Sequence, residues 1–164
     1  MSRLLVVHHS PTRSTRALLE AALEGARHPD IEGVEVQVVQ ALEATAEDVL
    51  DADGYLLGTP ANFGYMSGAL KHFFDSTFLQ IGGALDDSGG AGDVPGAGPT
   101  AKRPYGLWVH GRYDLTGAVR AVTSIVAALD WKQSAQVLEV LGDVDDEAIE
   151  GATELGGTLA ALLT

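Results

Sequence analysis

Cysteine is absent from the 164-residue chain, so disulfides, iron–sulfur ligation and thiol chemistry are closed to it. Cations are scarce: ten Lys and Arg stand against 23 Asp and Glu, a formal net charge of -13. A surface of that sign repels nucleic acid and anionic membranes, because it cannot supply the cations that replace phosphate counterions. Aromatic residues make up only 6%, so Ala, Leu and Val must fill most of the interior, as helices packed on a parallel sheet often require. No segment approaches the roughly 20 apolar residues of a membrane span. The apolar run near the N-terminus, Leu4-Leu5-Val6-Val7, is too short for a signal peptide and no cleavage pattern follows it. The expectation is a soluble cytoplasmic protein with no nucleic-acid or membrane partner, folded as one domain over 1–164.

Strand and helix patterns alternate along the chain. Leu4–Val7 is apolar without alternation, the mark of a strand buried on both faces. A helix follows from about Ser14 to Arg27, ended by His28-Pro29-Asp30. Val34–Val39 alternates and is expected nearer a sheet edge, with a short helix over Ala46–Asp51 after it. Gly54-Tyr55-Leu56-Leu57 is a buried strand, and Ser67 caps a helix running to about Leu79 that buries Leu70, Phe73, Phe74 and Phe78. Tyr105–Val109 reads as a fourth strand, Leu115–Leu129 as a fourth helix, Gln136–Leu141 as a fifth strand and Asp145–Leu163 as the last helix. Repeated βα units predict a three-layer α/β/α sandwich on a parallel sheet. Gly82–Pro104, rich in Gly, Pro and Ala, is too long for an ordinary connection and is expected to be a mobile excursion, a lid or an oligomer contact.

In such a sheet, ligands sit beyond the carboxyl ends of the strands, where the strand order reverses. Three loops are expected there. The first, Ser10-Pro11-Thr12-Arg13-Ser14-Thr15, offers hydroxyls and an arginine just before a helix, a natural place for a phosphate. Its simplest alternative is a helix cap, which needs only one hydroxyl. The second, Thr59-Pro60-Ala61-Asn62-Phe63-Gly64-Tyr65, sets two aromatics around a glycine and suits a planar heterocycle. The third, His110-Gly111-Arg112-Tyr113-Asp114, gathers polar and aromatic side chains at the end of the fourth strand. His8, His9, His28 and His72 lack metal-ligand spacing, and no metal site is expected.

The run Gly58-Thr59-Pro60-Ala61-Asn62-Phe63-Gly64, followed by Ser67-Gly68 and an amphipathic helix, resembles the isoalloxazine-binding loop of the flavodoxin-like superfamily. The likeness is strongest to its NAD(P)H-dependent FMN reductase and NAD(P)H:quinone oxidoreductase branch. It implies a parallel sheet of five strands in the order 2-1-3-4-5 and FMN as cofactor. Ser10, Thr12, Arg13, Ser14 and Thr15 would hold the phosphate. Pro60, Ala61, Asn62, Phe63, Gly64 and Tyr65 would line the ring, and His110, Gly111, Arg112, Tyr113 and Asp114 would close its other side. The first loop departs from the family by lacking its usual glycine, and the third by reading His-Gly-Arg-Tyr-Asp.

The resemblance implies an oxidoreductase in which NAD(P)H reduces FMN and the flavin reduces a quinone-like acceptor. FMN carries that chemistry, so no catalytic side chain is assigned. His110 or Arg112 is expected to stabilise the reduced, anionic flavin. The competing reading is a one-electron carrier flavodoxin serving a redox partner protein, which the acidic surface favours. Relatives often form homo-oligomers. Other users of related folds lack their signatures here. His8-His9 and Gly58-Thr59 stand where a phosphorylation receiver needs acids, and there is no Gly-x-Ser-x-Gly elbow, Gly-x-Gly-x-x-Gly turn or Walker lysine.

Overall fold

The computed structural model describes residues 1–93 and 98–164; residues 94–97, inside the expected Gly82–Pro104 excursion, lie outside the described residues. The elements run β1 (Ser2–His8), α1 (Arg13–Ala26), β2 (Val34–Gln40), α2 (Ala46–Asp51), β3 (Gly54–Asn62), β4 (Tyr65–Met66), α3 (Gly68–Thr77), β5 (Pro104–Gly111), α4 (Thr116–Ala128), β6 (Lys132–Gln133), β7 (Leu138–Leu141) and α5 (Asp146–Ala161). The sheet order is β2-β1-β3-β5-β6, with β7 also on β5 and β4 on β3. Among these strands of the described residues, all pairs are parallel except β3–β4. Counting β6 and β7 as one interrupted edge, this is the expected 2-1-3-4-5 order. Among the described residues, no helix is long and apolar enough to cross a membrane.

Burial follows the sequence pattern. Leu4, Leu5, Val6 and Val7 are fully buried because β1 has a strand on each side and helices on both faces. β2, the alternating segment, is an outer strand and stays half-buried. Alternate residues divide the core. Leu4, Val6, Leu56 and Trp108 pack under α1 and α5. Leu5, Val7, Tyr55 and Leu57 pack under α2, α3 and α4, where Tyr55 stacks on Trp131 with ring centroids 3.9 Å apart. α1 and α5 approach so closely that a Cβ on Gly25 would overlap the Thr153 carbonyl oxygen, and one on Gly156 that of Ala22.

Two elements differ from expectation. The third strand does not stop at Leu57 but runs to Asn62 and turns back as β4. Pro60 is tolerated inside it because β1 ends at His8, opposite Gly58. The Gly58 carbonyl, on that same side of β3, already accepts only from the loop amide of His9, at 3.0 Å. Pro60's missing N–H therefore faces the side β1 has vacated, and no ladder bond is lost. The fifth strand is shorter than Gln136–Leu141, starting as β7 at Leu138, and a separate two-residue strand, β6, precedes it. Ser134 Oγ donates to the Lys132 carbonyl at 3.0 Å and Gln133 Nε2 to that of Ala135 at 3.1 Å, local bonds that compete with the ladder and leave β6 and β7 separate.

The described flanks of the Gly82–Pro104 stretch are tied down. Thr100 Oγ1 donates to the Ile81 carbonyl at 2.6 Å and accepts from Trp131 Nε1 at 2.8 Å.

Candidate cofactor site

Each of the three loops is built by a local rule. At the first, Thr12 is the N-cap of α1 in a reciprocal capping box: its Oγ1 accepts from the Thr15 amide at 3.2 Å, and Thr15 Oγ1 accepts from the Thr12 amide at 3.1 Å. The Arg16 amide is satisfied by the Thr12 carbonyl at 3.0 Å. That leaves the first-turn amides of Arg13 and Ser14 unclaimed among the described residues, at the positive end of a helix of 14 residues. The donor set fits an anion.

At the second loop, β3 and β4 form a hairpin with a turn of two residues, Phe63 and Gly64, at φ 51° and 78°. Positive φ at both positions is the turn that matches strand twist, and glycine adopts it freely. Phe63 does not: a bulky residue in left-handed backbone is strained, and its ring is fully exposed. Strain of this kind persists where the surrounding structure imposes it, and it clusters at ligand clamps. Behind the turn, Thr59 Oγ1 accepts from the Ser67 amide at 3.0 Å, fixing the entry into α3.

The third loop leaves β5 at Gly111, where an added Cβ would press on Ala61 and Leu115; the glycine lets the second and third loops touch. His110 is buried, and its Nε2 lies 2.8 Å from the Gly142 carbonyl. The carbonyl can only accept, so Nε2 carries the hydrogen in that contact. Arg112 pairs with Asp143 at 2.7 Å, both largely exposed, a contact worth well under about 1 kcal/mol in water. Asp114 Oδ1 accepts from the Thr116 amide at 3.0 Å. Hydrogen bonds from Thr116, its backbone amide first and its hydroxyl second, hold this carboxyl below its usual range.

The loops enclose one groove of ≈ 640 Å³, within the usual span of small-molecule sites. Its walls are Thr12, Ser14, Pro60, Ala61, Asn62, Phe63, Gly64, His110, Gly111, Arg112, Tyr113 and Asp114. Four expected residues lie off this wall. Thr15 is fully buried in the cap, Arg13 is exposed on the first turn of α1, and Tyr65 stands on the return arm of the hairpin. Ser10 turns toward His8, its Oγ 2.9 Å from Nδ1. Among the described residues no cluster of His, Asp or Glu has metal-binding geometry.

Residues the sequence does not single out also shape the groove. The turn at Gly142 and Asp143 braces the third loop through His110, Arg112 and a 2.8 Å bond from the Gly142 amide to the Gly111 carbonyl. Gly117 on α4 lies against the Gly64 carbonyl, where a Cβ would overlap it. Gly117→Ala is therefore expected to push the hairpin outward and weaken ligand binding about tenfold, a loss of about 1.4 kcal/mol. The melting temperature should barely move, because the helix gains about 1 kcal/mol from Ala. Parallel ligand titrations and thermal melts check this.

A family model described as NADPH-dependent FMN reductase matches residues 2–133. The chain is 41% identical over 86 residues to a flavodoxin of Aquifex aeolicus, a match covering 52% of this chain and 45% of that one. It is 33% identical over 97 residues to an NAD(P)H dehydrogenase (quinone) of Acidithiobacillus ferrooxidans, covering 47% and 48%. In these matches the chain spans about half the length of the curated relatives. Among solved structures, an archaeal flavodoxin superposes with a TM-score of 0.76 at 16% identity, covering 98% of each chain; that likeness shows the fold.

Proposed function

The chain belongs to the NADPH-dependent FMN reductase family, and from that premise we propose that it is an FMN-binding oxidoreductase, one domain over 1–164, that takes electrons from NAD(P)H and delivers them to a quinone-like small molecule. The observation that carries this reading is the convergence of three loops on a single groove with two unclaimed helix-terminal amides at one end. FMN fits that donor set: the Arg13 and Ser14 amides with the Thr12 and Ser14 hydroxyls would hold its phosphate, and Arg13 would offset charge in a chain of net -13. Asn62–Gly64 and His110–Asp114 would flank the ring. When bound, FMN supplies the hydride and electron transfer.

The protein's own part is position and electrostatics. The strained Phe63 turn, backed by Gly117, presents an exposed ring at the groove's rim, and Tyr113 presents another. His110 is fixed by Gly142, so the face it offers does not rotate. Arg112, already offset by Asp143, brings less positive charge to a reduced flavin than the sequence suggests. Thr15, buried in the α1 cap, and Tyr65, on the return arm of the hairpin, support the loops.

The second reading, a one-electron carrier, is favoured by the acidic surface and by the match to the Aquifex flavodoxin. Anaerobic mixing separates the two. A reductase loaded with FMN is bleached by NADPH or NADH alone and recovers its colour on adding benzoquinone. A carrier stays yellow with either nucleotide and is reduced only through a redox protein, an outcome that would overturn the enzyme reading.

A further inference from the structure

β1 ends in two histidines. His8 shares the face of Leu4 and Val6, under α1 and α5, with Gln40 and Gly58 as its registered neighbours. Its Nδ1 meets Ser10 Oγ at 2.9 Å, the only side-chain hydrogen bond of either residue among those described. Burial, with a smaller push from His9, holds His8 below its ordinary value, so the ring is neutral at pH 7. The α1 charges near that face (Arg13, Arg16, Glu20 and Glu24) are all exposed.

A neutral imidazole carries one hydrogen, and its location decides what Ser10 can do. With the hydrogen on Nε2, Ser10 must donate to Nδ1 and has no hydrogen left for another acceptor. With the hydrogen on Nδ1, Ser10 accepts from the ring, and its own O–H is free to point elsewhere. Ser10 opens the loop whose unclaimed amides end at Ser14, and a phosphate oxygen needs donors. Resting on the FMN reading above, we propose that His8 is a positioning residue for the cofactor phosphate: with its hydrogen on Nδ1 it donates to Ser10 Oγ and turns the Ser10 hydroxyl into a phosphate donor. The exchange is proton-neutral, one hydrogen leaving Nε2 for Nδ1 through solvent while the Ser10 O–H swings from the ring to the phosphate.

The test compares FMN with riboflavin, which lacks the phosphate, using the full chain. His8→Phe should weaken FMN about tenfold, the scale of one charge-assisted hydrogen bond, and leave riboflavin unchanged. His8→Asn, whose amide nitrogen sits near the place of Nδ1, should restore FMN affinity. Ser10→Ala should cost the same as His8→Phe, and the double variant no more than either, because both remove one relay. Imidazole 15N shifts should report the hydrogen moving to Nδ1 of His8 as FMN is added and staying put with riboflavin. Equal losses for FMN and riboflavin, no loss for either, additive single effects, or an unprotonated Nδ1 in the complex would each overturn the relay. If the unaltered protein binds FMN no better than riboflavin, the phosphate reading of the groove fails first, a separate result.

Discussion

A carboxylate at Ser14 is expected to weaken FMN binding by about a hundredfold or more and to leave riboflavin binding and the fold intact. Ser14 is the second residue of α1, half-buried, and forms part of the groove wall. An acid near a helix N-terminus adds about 0.3–1 kcal/mol of stability, so Ser14→Asp does not harm the chain that carries it. The phosphate it would meet bears about -1.5 to -2 charges at neutral pH. At ~4 Å and an effective dielectric of ~20, repulsion is about 4 kcal/mol per charge pair, far beyond what the helix end returns. Since about 1.4 kcal/mol is tenfold, two orders of magnitude is a conservative expectation. Paired fluorescence titrations check it. Parallel losses for FMN and riboflavin would move the phosphate elsewhere.

Gly156→Ala is expected to destabilise the protein by about 3 kcal/mol, reversing the sign of an ordinary helix substitution. In an open helix, Gly to Ala gains up to about 1 kcal/mol from propensity. Here the new Cβ would overlap the Ala22 carbonyl oxygen, while Gly25 stands equally close to the Thr153 carbonyl. Backbone cannot rotate away as a flexible side chain can, so α1 and α5 must separate and open the packing of Leu18, Ala152, Leu155 and Leu159. At roughly 2–4 °C per kcal/mol for a chain of this size, the midpoint should fall by about 10 °C. A melt showing gain would mean that the helices slide apart freely. Because α1 also carries Thr12 and Ser14, FMN affinity should fall with stability.

Strand burial was readable because period and composition differ: the unbroken Leu4–Val7 run marks a central strand, and the alternating Val34–Val39 an outer one. Ser67 was legible as the cap of α3, whereas α1 is capped by Thr12, two residues before the expected start at Ser14, because several neighbouring hydroxyls compete for that role. The end of β3 was not legible, because whether Pro60 fits inside the strand depends on where a different strand stops. The break between β6 and β7 rests on side chains bonding to nearby carbonyls, a choice that composition does not encode. At the site, the three loops were readable from polarity and from the resemblance. The bracing by Gly117, Gly142 and Asp143 was not, since each looks like an ordinary surface residue until a distant loop is laid against it.

Backbone amide shifts recorded during an FMN titration test the central claim most directly. The account predicts that the largest changes fall together on Thr12–Thr15, Asn62–Gly64 and His110–Asp114, saturating with one equivalent. Changes centred on the separate groove between β7 and α5, around Val137, Leu138 and Leu155, or no saturable change, would contradict it.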